Sequence, residues 1–115
     1  MSQSSCQQDT QWFGCYQGSW DLLVDDAVAH PAKMAGKLCF RIFEHLEELG
    51  LLHLGCVILD SMAGTGMTGL VAGIKGYPSI LVELEPKFIA FCEANKAALE
   101  KKLGHPIDMT IIQGD

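Results

Sequence analysis

Three short apolar runs, at residues 56–60, 79–84 and 109–113, are separated by two stretches of helical character, and each stretch closes on a glycine. This alternation constrains the fold more than any other feature of the chain. Strands joined by helices of this length cannot form hairpins. They run parallel, through right-handed crossovers, in an α/β sheet of the doubly wound class. The first run, Cys56-Val57-Ile58-Leu59-Asp60, is continuously apolar before its closing acid, which suits a strand covered on both faces. A helix from about Gly66 to Lys75 follows and stops at Gly76. Ser79 to Leu84 forms the second strand, Pro86 opens a long helix to about Leu103 with Gly104 as its cap, and Met109 to Gln113 forms the third strand. Ahead of these, His30-Pro31 opens a helix. Leu38, Cys39, Ile42, Leu46 and Leu49 recur there at helical spacing, and Gly50 stops it.

At 115 residues the chain has room for one domain, expected over 30–115 behind an irregular, aromatic and acidic segment 1–29. Apolar residues are 49% and charged residues 19%, the balance of a globular core. No apolar run approaches the length of a membrane span, and the polar start, Met1 to Gln8, lacks the regions of a signal peptide. A cytoplasmic location is expected. The five cysteines have no C-x-x-C spacing and the four histidines no ligand spacing, so reduced thiols are expected and no metal. Cys56 and Cys92 read as small core residues. With 14 acids against 8 Lys and Arg, the net charge is −6, the wrong sign for gripping nucleic-acid phosphates. Lys33, Lys37 and Arg41 read as a solvated helix face.

The segment that carries chemistry is Asp60-Ser61-Met62-Ala63-Gly64-Thr65-Gly66-Met67-Thr68-Gly69. A glycine-rich turn between strand and helix lets the backbone approach a ligand and presents amides at a helix N-terminus. Gly64, Gly66 and Gly69 fit the dinucleotide pattern G-x-G-x-x-G, and Glu83 lies near the spacing of a ribose-binding acid. The first glycine of a dinucleotide fold, however, turns directly off the strand. Here four residues, Asp60 to Ala63, separate Leu59 from Gly64, and the strand ends on a carboxylate. Negative charge there is unwelcome to a pyrophosphate and acceptable to a cationic ligand, which favours S-adenosylmethionine.

The motif D-S-M-A-G-T-G resembles the D-P-F-A-G-S-G motif of DNA N6-adenine and N4-cytosine methyltransferases. His30-Pro31-Ala32-Lys33-Met34 is similar to that family's H-P-A-K-F, Val82-Glu83-Leu84-Glu85-Pro86 to its second-strand G-[IV]-E-[IL]-[DEN]-P, and Gly114-Asp115 stands where it has an acid after the third strand. Four motifs in family order cover His30 to Asp115. The resemblance implies a Rossmann-like fold and an S-adenosylmethionine cofactor, with transfer of a methyl group to an exocyclic amine of adenine or cytosine in DNA. It implies that Asp60 and the backbone of Ala63, Gly64, Thr65 and Gly66 line the methionine moiety and that Glu83 accepts from the ribose hydroxyls. Asp115 would accept from the adenine amine, and His30, Pro31 and Lys33 would frame the methionine end. Ser61 and Met62 depart from the family's proline and phenylalanine, which bears on turn stiffness.

The same family catalyses with a [DNS]-P-P-[YFW] motif after the third strand. Pro31, Pro78, Pro86 and Pro106 are all isolated, so no such motif occurs here and no catalytic residue is assigned. His53, His105 and Asp108 read as loop residues. Family sheets run 3-2-1-4-5, which leaves the first strand as an unpaired edge. A partial sequence, a truncated product or a chain completed by a partner is expected, with DNA contacted through other parts. Three alternatives stand beside this reading: an RNA methyltransferase fragment, an NAD-type oxidoreductase fragment, and a non-catalytic interaction module that uses the open strand edge.

Overall fold

The computed structural model describes Trp12 and residues 35–114. It contains helix α1 (Gly36–Glu48), strand β1 (Ile58–Asp60), helix α2 (Met67–Lys75), strand β2 (Ser79–Glu83), helix α3 (Pro86–Leu103) and strand β3 (Met109–Gln113). The strands form one open parallel sheet in the order β1-β2-β3, with Ile58 opposite Ser79 and Ser79 opposite Met109. This is the α/β arrangement of three parallel strands with flanking helices that the alternating pattern requires. His30, Pro31, Lys33 and Asp115 lie outside the described residues, as does segment 1–29 apart from Trp12.

Helix ends follow from glycine and proline chemistry. Gly66 and Gly76 bracket α2 in the left-handed region, at φ 88° and 89°, and Gly104 closes α3 at φ 78° while its N–H bonds to the Glu100 carbonyl at 2.9 Å. Pro86 opens α3, where its missing N–H costs no helical bond. Two boundaries differ from expectation. The described helix α1 begins at Gly36, because Ala35 is extended (φ −63°, ψ 133°), and the start expected at His30-Pro31 lies outside the described residues. β1 is three residues long, so Cys56 precedes it, in a turn where its N–H bonds to the His53 carbonyl.

The core divides around α2. Met67, Val71 and Ala72 pack with Cys39 and Phe43 of α1 and with Leu52 and Tyr77, while Leu70 packs with Leu81, Met109, and Cys92 and Leu99 of α3. On α1 the buried stripe is thus Cys39 and Phe43, with Phe40 and Leu46 beside it, and Leu49 is 56% exposed. Gly69 lets α2 lie close to the sheet, since a Cβ there would stand 2.8 Å from Met109 Cε and 2.9 Å from Leu81 Cδ1. Side chains alternate across a strand, so Ile58, Leu81, Met109 and Ile111 share the face on which the helices pack. On the opposite face Leu59 is 66% and Ile112 46% exposed. The expectation that the first strand is covered on both faces is therefore corrected: the packing of the described helices covers one.

Tyr77, buried just before β2, ties the sheet to α1. Its hydroxyl donates to Glu47 at 2.5 Å, and the Lys75 ammonium meets the other carboxylate oxygen at 2.9 Å. These contacts hold Glu47 below its usual carboxylate value and push Tyr77 up to about 12, the Glu47 hydrogen bond being the main cause.

Candidate functional site: a glycine turn beside two strand-end carboxylates

β1 and β2 deliver an acid each to the carboxyl edge of the sheet. Asp60 pairs with Leu81, and Glu83 lies two residues further on the same face. Strand spacing and rise place their Cα atoms on the order of 8 Å apart. Parallel α/β sheets bind ligands at this edge, because helix N-termini and strand-end side chains converge there.

The turn from Ser61 to Gly66 is built into the sheet by backbone contacts. The Ala63 N–H donates to the Val82 carbonyl at 3.0 Å, and the Gly66 N–H to the Ala63 carbonyl at 2.9 Å. Asp60 Oδ1 accepts the Met62 N–H at 3.0 Å, which folds the chain back immediately after the strand. Glu83 is bonded from two sides: the Gly64 N–H donates to Oε1 at 2.7 Å and the Glu85 N–H to Oε2 at 3.0 Å. Glu83 and the glycine turn, 19 residues apart in sequence, are one structural unit. Gly114 closes the third side, its N–H donating to the Glu83 carbonyl at 3.0 Å. Among the described residues neither Asp60 nor Glu83 takes part in an ion pair, so the edge presents two carboxylates without a described counter-ion.

Of the residues expected to bind a cofactor, Asp60, Ala63, Gly64, Thr65, Gly66 and Glu83 come together at this edge. Ala63, Thr65 and Gly66 are buried, while Ser61 and Met62 form the exposed tip. Gly66 combines a positive φ with close packing, since a Cβ would stand 3.2 Å from Cys92 Sγ. Beneath the turn, α3 supplies two residues that the sequence reading did not place in the site. The Cys92 thiol donates to the Gly64 carbonyl at 3.2 Å, and Asn95 Nδ2 donates to the Thr65 carbonyl at 2.8 Å. Cys92 was expected in the core and is buried there. Burial, with lesser contributions from Glu83 and Asp60, pushes its thiol up to about 12, so it remains a donor. An asparagine one turn from Cys92 on a buried helix face was the available signal.

A cavity of about 240 Å³ lies at the other end of the sheet, lined by Tyr77, Pro78, His105 and Ile107 among others. It opens at the amino ends of β2 and β3, away from both carboxylates. His53, His105 and Asp108 are exposed loop residues, and Arg41 bonds Glu48 at 3.3 Å and stacks over Trp12 at 5.1 Å. Among the described residues no cluster of His, Cys, Asp and Glu could hold a metal ion, and no helix is long and apolar enough to cross a membrane. No protein-family model and no curated protein sequence matches the chain.

Proposed function

We propose that this chain carries the S-adenosylmethionine-binding part of a Rossmann-like DNA amino-methyltransferase. The observation that carries the reading is the joint held by Glu83, whose carboxylate receives the Gly64 amide beside Asp60, which has no ion-pair partner among the described residues. A carboxylate has about four acceptor positions, and two on Glu83 are used by backbone amides. The remainder suit the two hydroxyls of a ribose. Asp60, with one oxygen committed to Met62, keeps acceptor capacity for an ammonium group, and the negative edge favours a sulfonium over a pyrophosphate. The motif order from His30 to Asp115 supports the same cofactor, with His30, Pro31, Lys33 and Asp115 completing the set.

One observation favours a nicotinamide dinucleotide as the second reading. Gly69 packs against the sheet as the third glycine of a dinucleotide fingerprint does. Calorimetry separates the two. S-adenosylmethionine or its demethylated product is expected to bind, NAD is not, and Glu83→Ala is expected to weaken binding by about tenfold or more, from the loss of charge-assisted hydrogen bonds. Binding of NAD with S-adenosylmethionine ignored would overturn the reading. Because the chain holds no Pro-Pro-aromatic motif, the 115 residues alone are expected to transfer no methyl group to duplex DNA. Incorporation of labelled methyl that depends on Glu83 would contradict this.

A further inference from the structure

We propose that Asn95, assisted by Cys92, is a positioning residue that sets the peptide orientations of the glycine turn for its ligand; the ligand half of this statement rests on the function proposed above. Asn95 is completely buried, on a helix whose neighbouring buried residues are Cys92 and Leu99. A leucine would fill such a place without the cost of desolvating an amide, so the amide needs a use. Asn95 Nδ2 holds the Thr65 carbonyl at 2.8 Å, while the Cys92 thiol, one turn earlier, holds the Gly64 carbonyl at 3.2 Å.

Two successive peptide planes are therefore fixed from one side. Every peptide here is trans, so each N–H points opposite to its own carbonyl. Drawing the Gly64 and Thr65 carbonyls towards α3 turns the Thr65 and Gly66 amides away from it. The Gly66 amide then meets the Ala63 carbonyl at 2.9 Å and closes the turn. Gly64 and Gly66 flank these peptides at φ 57° and 88°, and glycine flanks leave peptide planes free to rotate. The hydrogen bonds from α3 remove that freedom before any ligand arrives, which is preorganisation.

The test compares wild type, Asn95→Ala, Cys92→Ala and Cys92→Ser, each as the full chain. Amide hydrogen exchange is followed without ligand, and calorimetry uses S-adenosylhomocysteine as probe. In Asn95→Ala, exchange of the Gly66 amide is expected to quicken by about tenfold while the Leu81 amide at the sheet centre is unchanged, and affinity is expected to fall by about tenfold, the scale of one buried hydrogen bond. Cys92→Ala is expected to change both in the same direction, and Cys92→Ser, which keeps a donor, to restore them. Unchanged Gly66 exchange, or exchange that rises equally at Gly66 and Leu81, would overturn the proposal. Localised exchange with full affinity would overturn the ligand half. If Asn95→Ala does not fold, the two Cys92 variants decide the matter. If wild type binds no S-adenosylhomocysteine, the functional reading fails, while the exchange data still decide whether α3 sets the turn.

Discussion

Cys92 shows burial and hydrogen bonding acting together. Desolvation keeps the thiol protonated, up to about 12, and the protonated thiol is the form that can donate to Gly64. Cys39 is raised to about 11, mainly by burial, with the Thr68 hydrogen bond opposing and Asp60 adding. Thiolates, not thiols, react with alkylating agents. Iodoacetamide at pH 8 is therefore expected to leave Cys39 and Cys92 unmodified in the folded chain and to label both in denaturant, with peptide mass mapping as the readout. Rapid labelling of Cys92 in the native protein would contradict its place beneath the turn. Asp60 was legible in the sequence because it closes an apolar run, and Glu83 because it stands at the spacing of a ribose-binding acid after the glycine turn. Cys92 and Asn95 were not legible as site residues. Their partners lie 28 and 30 residues away, and helical periodicity reports only which face is buried.

Between elements, the contact of Glu47 with Tyr77 and Lys75 has a defined pH signature. The folded chain holds Glu47 below its ordinary value of 4.5, so the contact stabilises the fold above that value and its contribution is lost as pH falls through the lowered one. Tyr77 works in the opposite sense, contributing below its ordinary value of 10 and losing that contribution as pH rises towards about 12. Glu47→Gln is expected to lower the melting temperature at pH 7 and to flatten the acid limb of the melting curve series below about pH 4.5. An acid limb unchanged from wild type would contradict the contact. α2, α3 and β3 could be read from sequence nearly to the residue, because Gly76, Pro86 and Gly104 act locally on φ and on the helical hydrogen bonds. The start of α1 and the length of β1 could not. Apolar periodicity continues past the residues that pack, and which helix covers which face is settled by tertiary contacts. Val57 (57% exposed) and Leu59 show this, since their apolar character says nothing about the side from which the helices arrive.

Across the whole molecule, charge and architecture bear on the carboxyl edge of the sheet, where the proposed ligand would sit. The chain carries a net charge of −6, the three described helices pack on one face of the sheet, and the strand-end acids stand beside the turn that opens α2. Such an edge attracts a small cationic ligand and repels phosphate. Of the described basic residues, Arg41 and Lys75 are engaged with Glu48 and Glu47. The central claim is that this edge binds S-adenosylmethionine through Glu83 and the glycine turn. Its most direct test is a titration of the ¹⁵N-labelled chain with S-adenosylhomocysteine, followed by amide chemical shifts. Saturable shifts concentrated at 60–66 and 83–85 are expected, and they are expected to disappear in Glu83→Ala. Shifts centred on Tyr77 and Ile107 at the opposite end of the sheet, or shifts at the turn produced by NAD alone, would contradict it.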